Sequence, residues 1–272
     1  MSGLNPSRRP GPGVRRFGAV NWLGLWTLIE REVRRFTKVW GQTLLAPLAT
    51  AGLFMAVFHF ALAGRRGDVM GVSFEHFLAP GVLMMTVIQN AFANTSSSLV
   101  ISKVQGNIVD TLMPPLSAGE ILTGYAAGGL LRGLAVALAT GVPIFAALGI
   151  VPAQPLWMIL FLVTGALMLA LVGIVAGVLV SKFDQIAAVT NFIVTPLAFL
   201  SGTFYAVEDL PAGFAAFSLA NPVFHLIDGF RYGVIGAASE PPLVGAAYAL
   251  TFTAALWLVA WRLIARGKGL KS

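Results

Sequence analysis

Few residues in this sequence are of a type that could do covalent chemistry, and none is spaced for it. His59, His76 and His225 are scattered, with no H-E-x-x-H pair to hold a metal. Cysteine is absent, which excludes disulfides and thiolate metal sites. The Gly267-Lys268 pair is followed by Gly269, so no G-x-x-x-x-G-K-[ST] loop cradles a nucleotide phosphate. There is no aspartate-rich pair of the kind an intramembrane prenyl transferase uses. The expectation is therefore no catalytic residue, no metal site and no cofactor in this chain, which could not bind and split ATP by itself.

What remains is polarity in unusual places. Arg132 interrupts a long apolar run. A mid-membrane arginine costs roughly 2.5–3.5 kcal/mol on insertion scales, so it should face the protein interior or a wet cavity. It is either a charge on a substrate path or gate, or a structural ion pair or snorkelling side chain. Gln89, Asn90, Asn94, Thr95, Ser96, Ser97 and Ser98 form a polar run that either lines a cavity or bonds neighbouring helices. Just beyond it, Ile101, Val104, Ile108 and Leu112 make one stripe at helical spacing, and Lys103, Asn107 and Asp110 another. Met113-Pro114-Pro115 stops that helix. It could cap a helical bundle or serve as a docking peg for a soluble partner.

The elements that must position these residues are membrane helices. Of 272 residues, 57% are hydrophobic and 11% charged, against roughly 25% charged in soluble domains. Six segments approach the about 20 apolar residues needed to cross a bilayer: Leu44–Ala63, Phe77–Ile101, a span within Ile121–Val151, Leu156–Val180, Ile186–Phe204 and Leu243–Ile264. Ahead of them, residues 1–18 read as a disordered basic tail. Residues 19–41 read as an amphipathic interfacial helix: Trp22, Trp26, Ile29, Val33, Phe36 and Trp40 share a face, while Glu30, Arg31, Glu32, Arg34, Arg35 and Lys38 lie off it. Residues 42–266 then form the membrane domain and 267–272 a short tail.

Charge sets the orientation. Fourteen lysines and arginines fall on the side of the two termini, against Arg65, Arg66 and Arg231 on the other. The positive-inside rule places both termini in the cytoplasm. The net charge of +7 thus reads as topology and contact with anionic lipid, not as nucleic-acid binding.

Between the last two spans, Tyr205–Gly236 is too apolar for a loop and too interrupted to cross. Pro211, Asn221-Pro222, Asp228 and Arg231 break it. Irregular backbone facing lipid is not tolerated at depth, so short re-entrant half-helices on the outer side are expected, with a seventh crossing over Phe214–Ile235 as the alternative. Gly124-x-x-x-Gly128, Gly129-x-x-x-Gly133 and Gly173-x-x-x-Gly177 allow close helix approach, either inside the chain or at an oligomer seam.

The basic N-terminal helix, the six spans, the segment "GNIVDTLMPPLSAGEIL" and the run "FLSGTFYAVEDLP…LANPVFHLIDGFRYGVIG" together resemble the ABC-2 type permeases, the membrane subunits of ATP-binding-cassette exporters. The resemblance runs from about Trp22 to the C-terminus and is similar to small bacterial inner-membrane permeases for multidrug or oligosaccharide export. It implies the all-α ABC-2 (type V) exporter fold and a second permease copy, identical or a close paralogue. It also implies a separate ATPase subunit that holds ATP and Mg2+. The Lys103–Met113 helix would be the coupling helix, with Lys103, Gln105, Gly106, Asn107 and Asp110 as contact candidates. The helix bearing Trp22, Trp26, Arg31, Arg34 and Arg35 would be an interfacial elbow that also touches the ATPase. Asn221, Pro222, Asp228 and Arg231 would shape the outer re-entrant hairpin. The expected cargo is an amphiphile: a drug, a lipid or a lipid-linked glycan. The rival readings are a non-transporting membrane scaffold and an ion-coupled transporter.

Overall fold

In the computed structural model, residues 20–62, 67–267 and 269 are described; they are mostly helical, joined by irregular segments, with no strand among them. The expected tail at 1–18, Arg65 and Arg66, and most of the 267–272 tail lie outside the described residues. Helix α1 spans Trp22–Thr37, and a π-helical turn at Gly41–Leu45 leads into α2, Ala46–Leu62. Then follow α3 (Phe74–Val104), the short α4 (Ile108–Leu112), α5 (Ala118–Leu148) and α6 (Pro155–Leu179). The segment Phe183–Phe199 is one apolar helical rod, made of α7 (Phe183–Val189), a π-helical turn (Thr190–Val194) and α8 (Thr195–Phe199). After it come α9 (Ala212–Ala220), α10 (Pro222–Ile235) and α11 (Pro242–Ala265).

Five of these rods are long and apolar enough to cross a membrane: Gly41–Ala61, α3, α5, α6 and α11. The sixth expected span corresponds to Phe183–Phe199, which rises only about 26 Å at 1.5 Å per residue, slightly less than the ~30 Å hydrocarbon core. Its backbone turns irregular after Phe199, where the expectation continued the span to Phe204. The 205–236 stretch contains two short consecutive helices. Helices α9 and α10, of 9 and 14 residues, rise about 14 and 21 Å, too short to cross singly. Asn221 separates them: its side-chain oxygen caps the Val223 N–H at 3.0 Å, and Pro222 opens α10.

Helix α6 is the centre of the bundle and touches α3, α5, α10 and α11. Small residues make that closeness possible. Gly173 sits against Thr95 and the Phe92 carbonyl, Gly177 against Leu99, and Gly129 and Gly133 against Ala170 and Ala166. Two apolar cores result. One lies around Phe77, Met84, Phe161 and Phe230, the other around Leu99, Leu122, Tyr125 and Ile174. Helix α2 stands apart: only 6% of its most apolar stretch is buried.

Candidate functional site: a charged groove beside a broken peg

The basic residues of α1 and the 101–116 segment meet at one end of the bundle. Helix α1 has two apolar faces. Trp22 and Trp26 point outward, 72% and 65% exposed, while Leu25, Leu28 and Phe36 are buried. Leu28 lies on Gly124 of α5 and Glu32 on Gly128, where any Cβ would collide. The Gly124-x-x-x-Gly128 pair is thus the seat of α1. This corrects the single-face expectation for Phe36 and for Glu32, which is fully buried rather than solvated.

Glu32 organises the charges around it. Its Oε1 accepts from Arg31 at 3.1 Å and from the Ser98 hydroxyl at 2.8 Å, and its Oε2 lies 3.4 Å from the Arg35 guanidinium. Arg31 also donates to Thr111 at 2.8 Å and to the Tyr125 hydroxyl at 3.0 Å. Burial works against the charge on Arg31, but Tyr125 and Glu32 more than offset it and hold its pKa above the ordinary value. Arg35 reaches into α3, donating to the Asn94 carbonyl and side chain at 2.6 and 2.8 Å and to Ser97 at 3.2 Å. Arg34 pairs with Glu30 one turn away at 2.6 Å and stays exposed. A buried carboxylate is costly unless paired and bonded; Arg31 and Ser98 bond Oε1 and Arg35 pairs with the carboxylate, while Oε2 accepts no hydrogen bond among the described residues.

The expected continuous amphipathic helix is broken. Helix α3 ends at Val104, Gly106 adopts φ +75°, and α4 begins at Ile108. A positive φ is easy for glycine and strained for most other residues, so the stripe expected from Ile101 to Leu112 splits. Ile108 and Thr111 turn inward, while Val104, Val109 and Met113 are left exposed, Met113 at 77%. Gln105, Gly106, Asn107 and Asp110 stand together on the exposed tip. Lys103 does not join them. Its ammonium donates to the Gly177 and Val178 carbonyls at 3.0 and 2.8 Å, capping the C-terminal end of α6, where a cation is favoured.

Between α1 and the peg runs a groove of about 830 Å³ lined by Arg31, Arg34, Arg35, Lys38, Gln105, Asn107 and Asp110 among others. Asp110 also borders a second cavity of about 420 Å³ against Leu23, Leu28 and Pro114. The peg is bolted to α1 at both margins. The Asn21 amide donates to the Pro115 carbonyl at 3.2 Å, and the Glu120 carboxylate accepts from the Asn21 N–H and, at 2.6 Å, from the Ser117 N–H.

The remaining candidates lie elsewhere. Arg132 projects from the middle of α5 to Asn90 of α3 at 3.1 Å, one turn of α3 away from Arg35. Asn221 precedes α10, and Asp228 and Arg231 lie on it. Asn221 donates to Ser201 at 2.7 Å and to the Leu197 carbonyl at 3.3 Å. Asp228 accepts the Ser239 and Glu240 N–H groups at 3.0 Å each. Arg231 lies 3.6 Å from Asp228 and 4.0 Å over the Phe77 ring, and donates to the Gly202 and Phe77 carbonyls at 2.5 and 3.3 Å. Sequence reasoning missed Glu32 as an organiser, although the glycine pair four residues apart on α5 was the available signal.

The sequence profile of the ABC-2 type transporter family matches residues 24–235. The chain is 38% identical over 255 residues to the inner membrane transport permease YadH of Escherichia coli (strain K12), covering 92% of this chain and 98% of that one. It is 28% identical over 228 residues to nodulation protein J of Rhizobium leguminosarum bv. viciae, covering 80% and 84%. Against nodulation protein J of Rhizobium meliloti (strain 1021) the identity is 24% over 220 residues, covering 80% and 82%. With five spanning-length helices around a closely packed core, this chain is a multi-pass membrane permease that belongs to the ABC-2 type transporter family.

Proposed function

We propose that this permease is the membrane subunit of an ATP-driven exporter whose motor is a separate ATPase chain bearing ATP and Mg2+. The observation that carries this reading is the exposed peg. Val104, Val109 and Met113 present apolar surface at the most basic end of the molecule, the end that the positive-inside rule puts in the cytoplasm. Water is the solvent there, so uncovered apolar side chains beside polar Gln105, Asn107 and Asp110 fit a protein interface. The sequence carries no phosphate loop of its own. Helix α1 then lies in the headgroup plane with Trp22 and Trp26 toward lipid, Phe183–Phe199 serves as the sixth span, and the α9–α10 hairpin enters from the outer side. The nearly unpacked α2 is the surface for a second permease copy.

Movement of the ATPase reaches the spans by two routes. The peg follows α3 directly across the turn at Gly106, and Lys103 ties the last turn of α3 to the end of α6. A partner shifts this equilibrium only if it binds the two arrangements with different affinity, so the closed ATPase dimer must grip the peg differently from the open one. The cargo is an amphiphile that leaves between the two copies or through the outer leaflet.

Joint substitution Val109→Asp with Met113→Asp tests the reading. A stoichiometric ATPase should accompany the unaltered permease in mild detergent, and the double variant should lower its affinity about tenfold or more, as loss of an interface anchor does. Unchanged affinity rejects the peg. Complete absence of an ATPase favours a scaffold, and transport that follows a proton gradient without ATP favours an ion-coupled carrier.

A further inference from the structure

Helix α3 is buried along nearly its whole length, and the exceptions share one side. Between Phe77 and Val100 the only residues not buried are Gln89, Asn90, Ala93 and Ser97. Their spacing of three or four puts them on one helical stripe, and three of the four are polar. Hydrocarbon offers such a stripe no hydrogen bonds, so it is suited to water or to a polar ligand.

Three guanidiniums climb this stripe from the groove. Arg31 stands at its foot, bonded to Thr111 and Tyr125. Arg35 is next, at Ser97 and Asn94. Arg132 is one turn deeper, at Asn90. Their hydrogen-bonding capacity is unspent. The Nε donors of Arg35 and Arg132 and the amide nitrogen of Asn94 are buried without a partner. The carboxylate that faces this set is Glu32, shared between Arg31 and Arg35; its Oε2 is also buried without a hydrogen bond, yet its one negative charge leaves the three guanidiniums in excess. Arg132 has only the neutral Asn90 amide as its partner among the described residues. A charge held at depth against a neutral partner, beside orphaned donors, is an incomplete site. The missing component is an anion with several acceptor oxygens.

We infer that the cluster of Arg35, Asn94, Asn90 and Arg132 beside this stripe binds the phosphate of an anionic amphiphile, drawn in from the groove between α1 and the peg. Guanidinium forks match phosphate oxygens in pairs. Asn94 supplies a neutral donor between the two arginines, and the apolar tail remains in the membrane. The inference rests on the exporter reading and names its substrate class.

The test is direct binding by the full-length permease in detergent, without ATPase. The probes are dioctanoyl phosphatidic acid, dioctanoylglycerol with the same tails, and inorganic phosphate. The phosphatidic acid should bind about tenfold or more tighter than dioctanoylglycerol, the value of about one charge-assisted bond. Arg132→Gln should erase most of that preference, and Arg132→Lys should retain part of it. The Gln variant removes a buried charge and keeps a polar side chain that can reach Asn90, so thermal unfolding should show it folded. Arg262→Gln, exposed on α11 and away from the groove, should change nothing. Equal binding of both amphiphiles, or a preference that survives Arg132→Gln, overturns the site. Tight binding of inorganic phosphate with no gain from the tails overturns the amphiphile in favour of a soluble anion. Because no ATPase enters the measurement, failure here leaves the peg test untouched.

Discussion

Arg231 and Arg132 both approach α3, at levels about 20 Å apart along its axis, and they are treated in opposite ways. Arg231 is fully enclosed. Two carbonyls, an aromatic face and a carboxylate surround it, and Asp228 in turn holds the loop after α10 through two N–H groups. Arg132 is half-buried and has one neutral partner. The first arginine is a rivet, since without it the buried Asp228 loses its counter-charge and the Gly202 carbonyl loses this donor. The second stabilises nothing that its removal would strand. Desolvating a charge without a counter-charge is costly, so a guanidinium kept in that state points to a ligand rather than to the fold.

The comparison can be broken outright. Arg231→Met should destabilise by about 3–5 kcal/mol, because it leaves Asp228 buried and uncompensated. Arg132→Met should shift stability by less than about 1 kcal/mol in either direction. Apparent Tm values in one detergent at one scan rate would show it, and a reversed order would end the distinction. A second contrast concerns glycines. Gly128→Leu drives a side chain into Glu32 and should cost about 1–3 kcal/mol by overpacking, with α1 becoming protease-sensitive. Gly213→Leu in α9 meets open space and should stay within about 0.5 kcal/mol. Equal losses would mean that α1 is not seated on α5. The smallest effect is expected at Lys103→Met, about 0.3–1 kcal/mol from the lost cap on α6. A tenfold loss of ATPase affinity in that variant would instead make Lys103 a contact residue.

The long apolar rods are legible in the sequence because hydropathy over twenty residues is a strong signal, and the break between α9 and α10 because Asn221-Pro222 punctuates it. The rest is hidden for physical reasons. Glu32 falls among charged neighbours, and only the bare glycine beneath it reveals that it is buried. The break at Gly106 is masked by apolar spacing that continues across it. Lys103 has the right spacing for the peg's polar stripe, yet a four-carbon stem lets its ammonium reach α6 instead. Phe183–Phe199 looks like a full span by composition, whereas its helix ends five residues before Phe204 because the backbone turns at Leu200.

Helix α2 is held mainly by a patch of phenylalanines. Phe54 and Phe58 lie 5.9 and 5.4 Å from Phe204, and Phe58 lies 6.0 Å from Phe74. Below them a π-helical turn at Gly41–Leu45 joins it to the end of α1. Lipid tails are as apolar as these side chains, so no hydrophobic force presses α2 onto the bundle. Together the turn and α2 form a rod over Gly41–Ala61, 21 residues, that extends about 32 Å, close to the thickness of the hydrocarbon layer. The tilt of α2 is therefore the internal coordinate of this protein most responsive to bilayer thickness. Lipids of different chain length are then expected to change the angle of α2 against the bundle.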